Sequence, residues 1–147
     1  MKRSWSLILL SLIACQREKA PDVARDTAPD TTVRRVRPAA KAGLIELHNP
    51  FPGDPVQSPL AIEGMARGPW YFEASFPVYL LNAAGDTIAR TPAQAEGEWM
   101  TTNMVPFKAT LEFTAPAGDS GTLILAKSNA SGLPEHDDEL RVPIRFH

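Results

Sequence analysis

The stretch NASGLPEHDDEL, from Asn129 to Leu140, gathers one imidazole, one hydroxyl, one side-chain amide and four carboxylates within twelve residues. Three chemistries are open to such a set. The first is cation binding. Calcium takes six to eight oxygen ligands, and Asn129, Glu135, Asp137, Asp138 and Glu139 can supply some of them. The alternating carboxylate spacing of a calcium loop is missing, and adjacent Asp137 and Asp138 point apart in extended backbone. The second is hydrolysis, by an envelope hydrolase or a carbohydrate-active accessory using Glu135, His136 and Asp138. A zinc centre needs three or four ligands. A Ser-His-Asp set needs a positioned hydroxyl and an oxyanion hole, and no strand-turn-helix elbow surrounds Ser131. The third is shape. Asn129 and Ser131 can bond nearby backbone amides, Gly132 permits positive φ, and Pro134 holds Leu133 extended. The third reading is preferred. It assigns no catalytic residue and implies no cofactor. It leaves Leu133, Pro134, Glu135, His136, Asp137 and Asp138 as a candidate partner-binding loop, the common use of exposed end loops on a rigid scaffold. Whether the Glu135–Glu139 acids also hold calcium stays open.

The other reactive side chain is Cys15, the single cysteine of the chain, which therefore has no intramolecular disulfide partner. It follows Met1-Lys2-Arg3, an apolar run from Leu7 to Ala14 broken by Ser11, and the step Leu12-Ile13-Ala14. A charged start, an apolar run and a small residue form a secretory signal. The run falls short of the roughly 20 apolar residues that span a bilayer. With the cysteine in register, the pattern resembles a bacterial lipoprotein signal: cleavage after Ala14 and acylation of Cys15, palmitate-type chains anchoring the protein to the membrane. Each buried methylene is worth about 0.8 kcal/mol, so two or more chains hold firmly. Residues 1–14 are thus expected to be a signal peptide. The protein is expected to face the extracytoplasmic side of the cell envelope. Gln16 after the cysteine favours the outer membrane in an organism with two.

These two regions need elements to position them. Gln16 to Ala42 holds Pro21, Pro29 and Pro38 and no aromatic residue. Such composition does not bury enough apolar surface to order itself, so residues 15–42 are read as the lipidated cysteine and a tether. Seven basic and four acidic residues give the tether a net charge of +3. Residues 43–147 carry six basic and thirteen acidic residues, a net of −7 with neutral histidines. An acidic domain without a basic stripe argues against nucleic acid as partner.

Within that domain, period-two alternation dominates. Phe107, Ala109, Leu111 and Phe113 alternate with polar residues, as do Leu140, Val142, Ile144 and Phe146. Phe72, Ala74, Phe76, Val78 and Leu80 line a third face. Alternating side chains mark half-buried strands. Weaker strand signals cover Leu44–His48, Ser58–Gly64, Asp86–Arg90 and Thr122–Lys127, with Ile124 breaking the alternation. Pro77 and Pro143 lack an amide donor and belong on edges or bulges. About seven short strands separated by turns in roughly 100 residues is the pattern of an all-β, antiparallel immunoglobulin-like β-sandwich. With no disulfide to bridge it, Trp70, Trp99, Phe72, Phe107 and Phe113 are expected to fill its core.

Specific strings extend this reading. HNPFPGDPVQSPLAIEGMARG, FEASFPVYLLNAAGD, GEWMTTNMVPFKATLEF and NASGLPEHDDELRVPIRF resemble, in family order from about Ile45 to Phe146, the immunoglobulin-like domain of bacterial spore germination proteins. The resemblance implies a β-sandwich and no enzymatic activity. The functional expectation is a non-catalytic, lipid-anchored envelope module that binds a protein or a cell-wall polymer or braces an assembly. The envelope hydrolase and a calcium-stabilised adhesion-type domain are the alternatives.

Overall fold

The computed structural model describes residues 39–147. Cys15, the signal segment and most of the tether lie outside the described residues. Nine strands form: β1 (Ala39–Lys41), β2 (Ile45–Asn49), β3 (Pro55–Val56), β4 (Leu60–Arg67), β5 (Ser75–Asn82), β6 (Thr87–Ala95), β7 (Met104–Leu111), β8 (Ser120–Ala126) and β9 (Glu139–Phe146). Two single-turn 3-10 helices, Gly68–Trp70 and Pro134–His136, interrupt the connections. Two strands were not legible in the sequence. β1 lies inside the segment read as tether, where its three residues pair with Ile45–Leu47. β3 is two residues long and runs parallel to β9, the exception to an otherwise antiparallel fold.

The strands hydrogen-bond into one continuous sheet, ordered β1-β2-β4-β7-β6-β5-β8-β9-β3. The sheet curls where β6 meets β7, a junction of two register pairs, Gln94 with Lys108 and Ala95 with Phe107. Curling there brings the two halves face to face, like the layers of a sandwich. Phe76 of β5 meets Phe107 of β7 edge-on, ring centroids 4.9 Å apart, and Tyr71 packs against Phe76 at 5.3 Å with its ring tilted by 59°. Alternation sets which residues enter this space. β4 and β9 bury every second residue, including Leu60, Ile62 and Ala66, and Leu140, Val142, Ile144 and Phe146. Burying one large apolar side chain contributes about 1.5–3 kcal/mol, so two perfectly alternating strands are enough to fix which face turns inward.

The prolines sit where their missing amides are not needed. Pro77 pairs with Pro92 across β5 and β6. Two residues without N–H groups can face each other only at a non-hydrogen-bonded position, where amides point away from the pair. Pro143 lies on β9 just before β3 pairs at Arg145 and Phe146, and there its carbonyl accepts from the Gly53 amide at 2.8 Å while no amide is asked of it. Ile124 is buried although it lies outside the core cluster. Its register partners, Tyr79 and Arg141, flank it on the outer face of the sheet, which accounts for the break in alternation.

One core assignment is corrected. Phe72 does not continue the β5 face inward. Residues Glu73 and Ala74 turn in the left-handed region, at φ 50° and 59°, and leave Phe72 48% exposed. Phe107 and Trp70 are buried, and Trp99 and Phe113 pack partly buried against the cluster.

Strand direction assigns the connections to two poles. The β1–β2, β4–β5, β6–β7 and β8–β9 connections share one end. Those flanking β3, together with β5–β6 and β7–β8, share the other.

Candidate interaction surface

The acidic stretch is the β8–β9 connection, and its side chains mostly hold its own backbone. Asn129 is the hub. Its Nδ2 donates to the Leu133 carbonyl at 2.8 Å and to Asp137 Oδ1 at 2.7 Å, and its Oδ1 accepts from the Ser131 amide at 3.1 Å and hydroxyl at 2.6 Å. The Leu133 amide in turn donates to Ser131 Oγ at 3.2 Å. Gly132, at φ 66°, makes the reversal that lets these groups converge. Pro134 opens a single 3-10 turn closed by the Asp137 amide on the Pro134 carbonyl. Leu133, Pro134, Glu135, His136 and Asp137 are exposed, Leu133 to 49%.

The candidate site residues are therefore not gathered into a reaction centre. Asp137 is held by Asn129, and Asp138 bonds Lys41 of β1 and accepts from the Glu139 amide. The Lys41 hydrogen bond, aided by the Glu139 amide and the positive charges of Lys41 and Lys127, holds the Asp138 carboxyl below its ordinary range despite partial burial. Glu139 pairs with Arg141 at 2.7 Å. A shallow depression is lined by Lys41, Lys127, Asp137, Asp138 and Glu139, and neither Glu135 nor His136 enters it. Among the described residues, no three His, Cys, Asp or Glu side chains lie close enough together to hold a metal ion.

The loop is also fastened to its neighbours. The Ser128 amide donates to the Trp70 carbonyl at 3.0 Å, and the Ser128 hydroxyl to the Ser75 carbonyl at 2.9 Å. Those acceptors belong to the β4–β5 connection and the start of β5. The Gly68 amide of the β4–β5 connection donates to the Asn103 carbonyl of the β6–β7 connection at 3.2 Å. A Cβ on Gly68 would lie 1.8 Å from the Thr101 carbonyl oxygen and 2.4 Å from that of Trp99, so only glycine allows the two loops to meet. Arg67 closes the next joint, donating from Nε to the Gly43 carbonyl and from Nη1 to the Thr102 carbonyl at 2.6 Å. Lys41 with Asp138 completes the ring back to the β8–β9 loop. Tyr71 anchors it from below: its hydroxyl donates to the Val105 carbonyl at 2.8 Å, and burial pushes the phenol well above its ordinary pKa.

A family model describing the immunoglobulin-like domain of bacterial spore germination matches residues 44–132. The chain belongs to that family. No curated protein and no solved structure matches it. For this germination-type immunoglobulin-like domain, the match runs from the β1–β2 turn to Gly132 and stops before the Pro134–His136 turn and β9. The family's architecture fits a non-catalytic module. The acids of the stretch, Glu135 to Glu139, lie beyond the match.

Sequence reasoning placed one of the ring's exposed apolar residues, Leu133. It missed Leu44, Phe72 and Met100, which are 38%, 48% and 74% exposed. Phe72 carried a misleading signal, an apolar alternation that continues into β5. The strings Gly68-Pro69-Trp70 and Trp99-Met100-Thr101 were the available hint, since large apolar residues beside turn-forming ones often mark loops with a binding role.

Proposed function

We propose that this protein is a non-catalytic, lipid-anchored module of the cell envelope, held by acyl chains on Cys15 and binding an envelope partner through the end of its immunoglobulin-like domain. One observation carries the reading. The side chains of Asn129, Ser131, Asp137 and Asp138 are spent on fixing the shape of an exposed loop, and Glu135 and His136 stand exposed outside the depression beside it. A carboxylate already paired to an ammonium or an amide is a poor general base, and an exposed imidazole without an orienting partner is not held for proton transfer. The Met1–Cys15 pattern supports the anchor, and the basic tether gives the domain reach from the surface.

Labelling with a palmitate analogue tests the anchor. The wild-type chain is expected to take up label and to fractionate with membranes, and Cys15→Ser to lose both while keeping the domain's cooperative melt. Label uptake by Cys15→Ser would remove the lipid anchor from the reading. Replacing 133–138 by Gly-Ser tests the loop: envelope binding is expected to weaken, and unchanged binding would remove the loop's part.

A further inference from the structure

Exposed large apolar side chains number four among the described residues: Leu44, Phe72, Met100 and Leu133. They come from four different connections, β1–β2, β4–β5, β6–β7 and β8–β9, and all four connections lie at the same pole. Scattered single apolar residues on a surface need no explanation, but their concentration at one place marks an interaction site. The loops that carry them are the ones hydrogen-bonded into a ring through Arg67, Gly68, Ser128 and Lys41.

The β4–β5 connection adds an independent observation. The Phe72 amide donates to the Ser75 carbonyl at 2.9 Å and the Ser75 amide to the Phe72 carbonyl at 3.1 Å, closing a two-residue turn. Both central residues, Glu73 and Ala74, have positive φ, the geometry of a turn that strongly favours Asn-Gly. Holding non-glycine residues there is unfavourable, and such strain tends to persist where it serves a purpose. Here its effect is to leave Phe72 at the pole, outside the core that the alternation of its neighbours would otherwise assign it.

We propose, on the reading that this is a binding module, that the apolar pole docks onto a protein whose surface offers an apolar depression bordered by lysines and arginines. Charge selects that partner. The four connections carry Glu73, Glu96, Glu98, Glu135, Asp137 and Asp138 against Lys127, and with Lys41 and Arg67 at the flanking strand ends the pole stays acidic by six to three. An acidic rim around apolar side chains repels anionic lipid headgroups and anionic wall polymers, and steers a basic surface into register. The opposite pole is also acidic, with Asp54, Asp86, Glu112 and Asp119, but shows no exposed large apolar residue among the described residues. The acids thus set the sign of the partner, and the apolar tips set the face.

A photo-crosslinking amino acid placed in the full chain at Phe72, Met100 or Leu133, with Ala84 and Ala117 at the opposite pole as controls, tests this in intact envelopes. The three pole positions are expected to capture the same protein, in a yield that falls as salt is raised, while the controls do not. With that protein purified, Phe72→Ser is expected to weaken binding about thirtyfold, as loss of a central anchor does. The double change Glu98→Lys and Glu135→Lys is expected to slow association and to flatten the salt dependence. Adducts to lipid or wall polymer alone, a salt-independent adduct, or capture by the controls and not the pole would overturn the proposal, the last leaving the binding-module reading standing. No adduct from any of the five positions would overturn both.

Discussion

The two poles of the domain are built differently. At the opposite pole, turns bond within themselves and to strand β9. Asn82 Oδ1 accepts from the amides of Ala84 and Asp86, and Asp54 accepts from the Phe51 amide within its own turn. Two of its connections are tied to β9, Arg145 Nε donating to the Gly53 carbonyl and the Phe146 amide to the Asp119 carbonyl, both at 2.9 Å, and one bond runs directly from loop to loop, from the Phe113 amide to Ser58 Oγ at 3.0 Å. At the apolar pole, the four connections bond to one another, through Arg67, Gly68, Ser128 and Lys41. Turns that satisfy themselves can vary independently; turns that satisfy each other hold a common shape. Binding then loses less freedom, because the loops are already ordered. Recognition by this domain is therefore expected at the pole whose loops are joined, and not at the acidic side chains of one loop alone.

Four substitutions, the first paired with a control at the opposite pole, test that contrast in decreasing order of effect. Gly68→Ala drives a methyl into the Thr101 and Trp99 carbonyls and is expected to lower stability by about 3 kcal/mol. Gly85→Ala at the opposite pole meets open space and is strained only by its φ of 90°, for a loss of about 1 kcal/mol. Urea melts of the two variants compare the poles directly; equal losses would mean the ring is not under tighter packing. Asn129→Ala removes the hub of the β8–β9 loop and is expected to cost about 1–2 kcal/mol, with exchange of the Ser131 and Leu133 amides speeding up. A melt indistinguishable from wild type would show that the loop does not depend on the hub.

Ala74→Gly relieves a left-handed alanine and is expected to stabilise by about 1 kcal/mol, raising the melting temperature. A lower melting temperature would mean that the turn is not strained. The smallest effect belongs to Asp138→Asn. Lys41 is 42% exposed, so solvent screens the pair and its worth is below about 1 kcal/mol. Because the folded Asp138 carboxyl titrates below its ordinary value, the stabilisation is present above about pH 4 and is lost as pH falls further, through the lowered folded value. Melts between neutral and acid pH are expected to show a slightly shallower acid decline in Asp138→Asn, and an identical decline would remove the pair from the ring.

Much of the fold was legible because burial imposes a period of two. β4, β7 and β9 alternate closely and were placed to within a few residues. β1 and β3 were not, because three and two residues cannot display a period, and both are held by pairing with neighbours. Phe72 misled because Glu73-Ala74 occupies a turn normally signalled by Asn-Gly, so the alternation seemed to run straight through it. The shape-giving role of Asn129, Ser131, Gly132 and Pro134 was readable, since each acts on a backbone group only a few residues away. The apolar pole was not. Leu44, Phe72, Met100 and Leu133 are far apart in the chain, and the topology alone brings their loops to one end.

The central claim is that the apolar pole is a closed, hydrogen-bonded ring, and amide hydrogen exchange reads it residue by residue. The amides of Arg67, Gly68, Lys127 and Ser128 donate to Leu44, Asn103, Asp138 and Trp70 respectively. The account predicts that all four exchange slowly and together, and that Gly68→Ala speeds the set as a group. Exchange of the Gly68 and Ser128 amides at the rate of an open loop would contradict it.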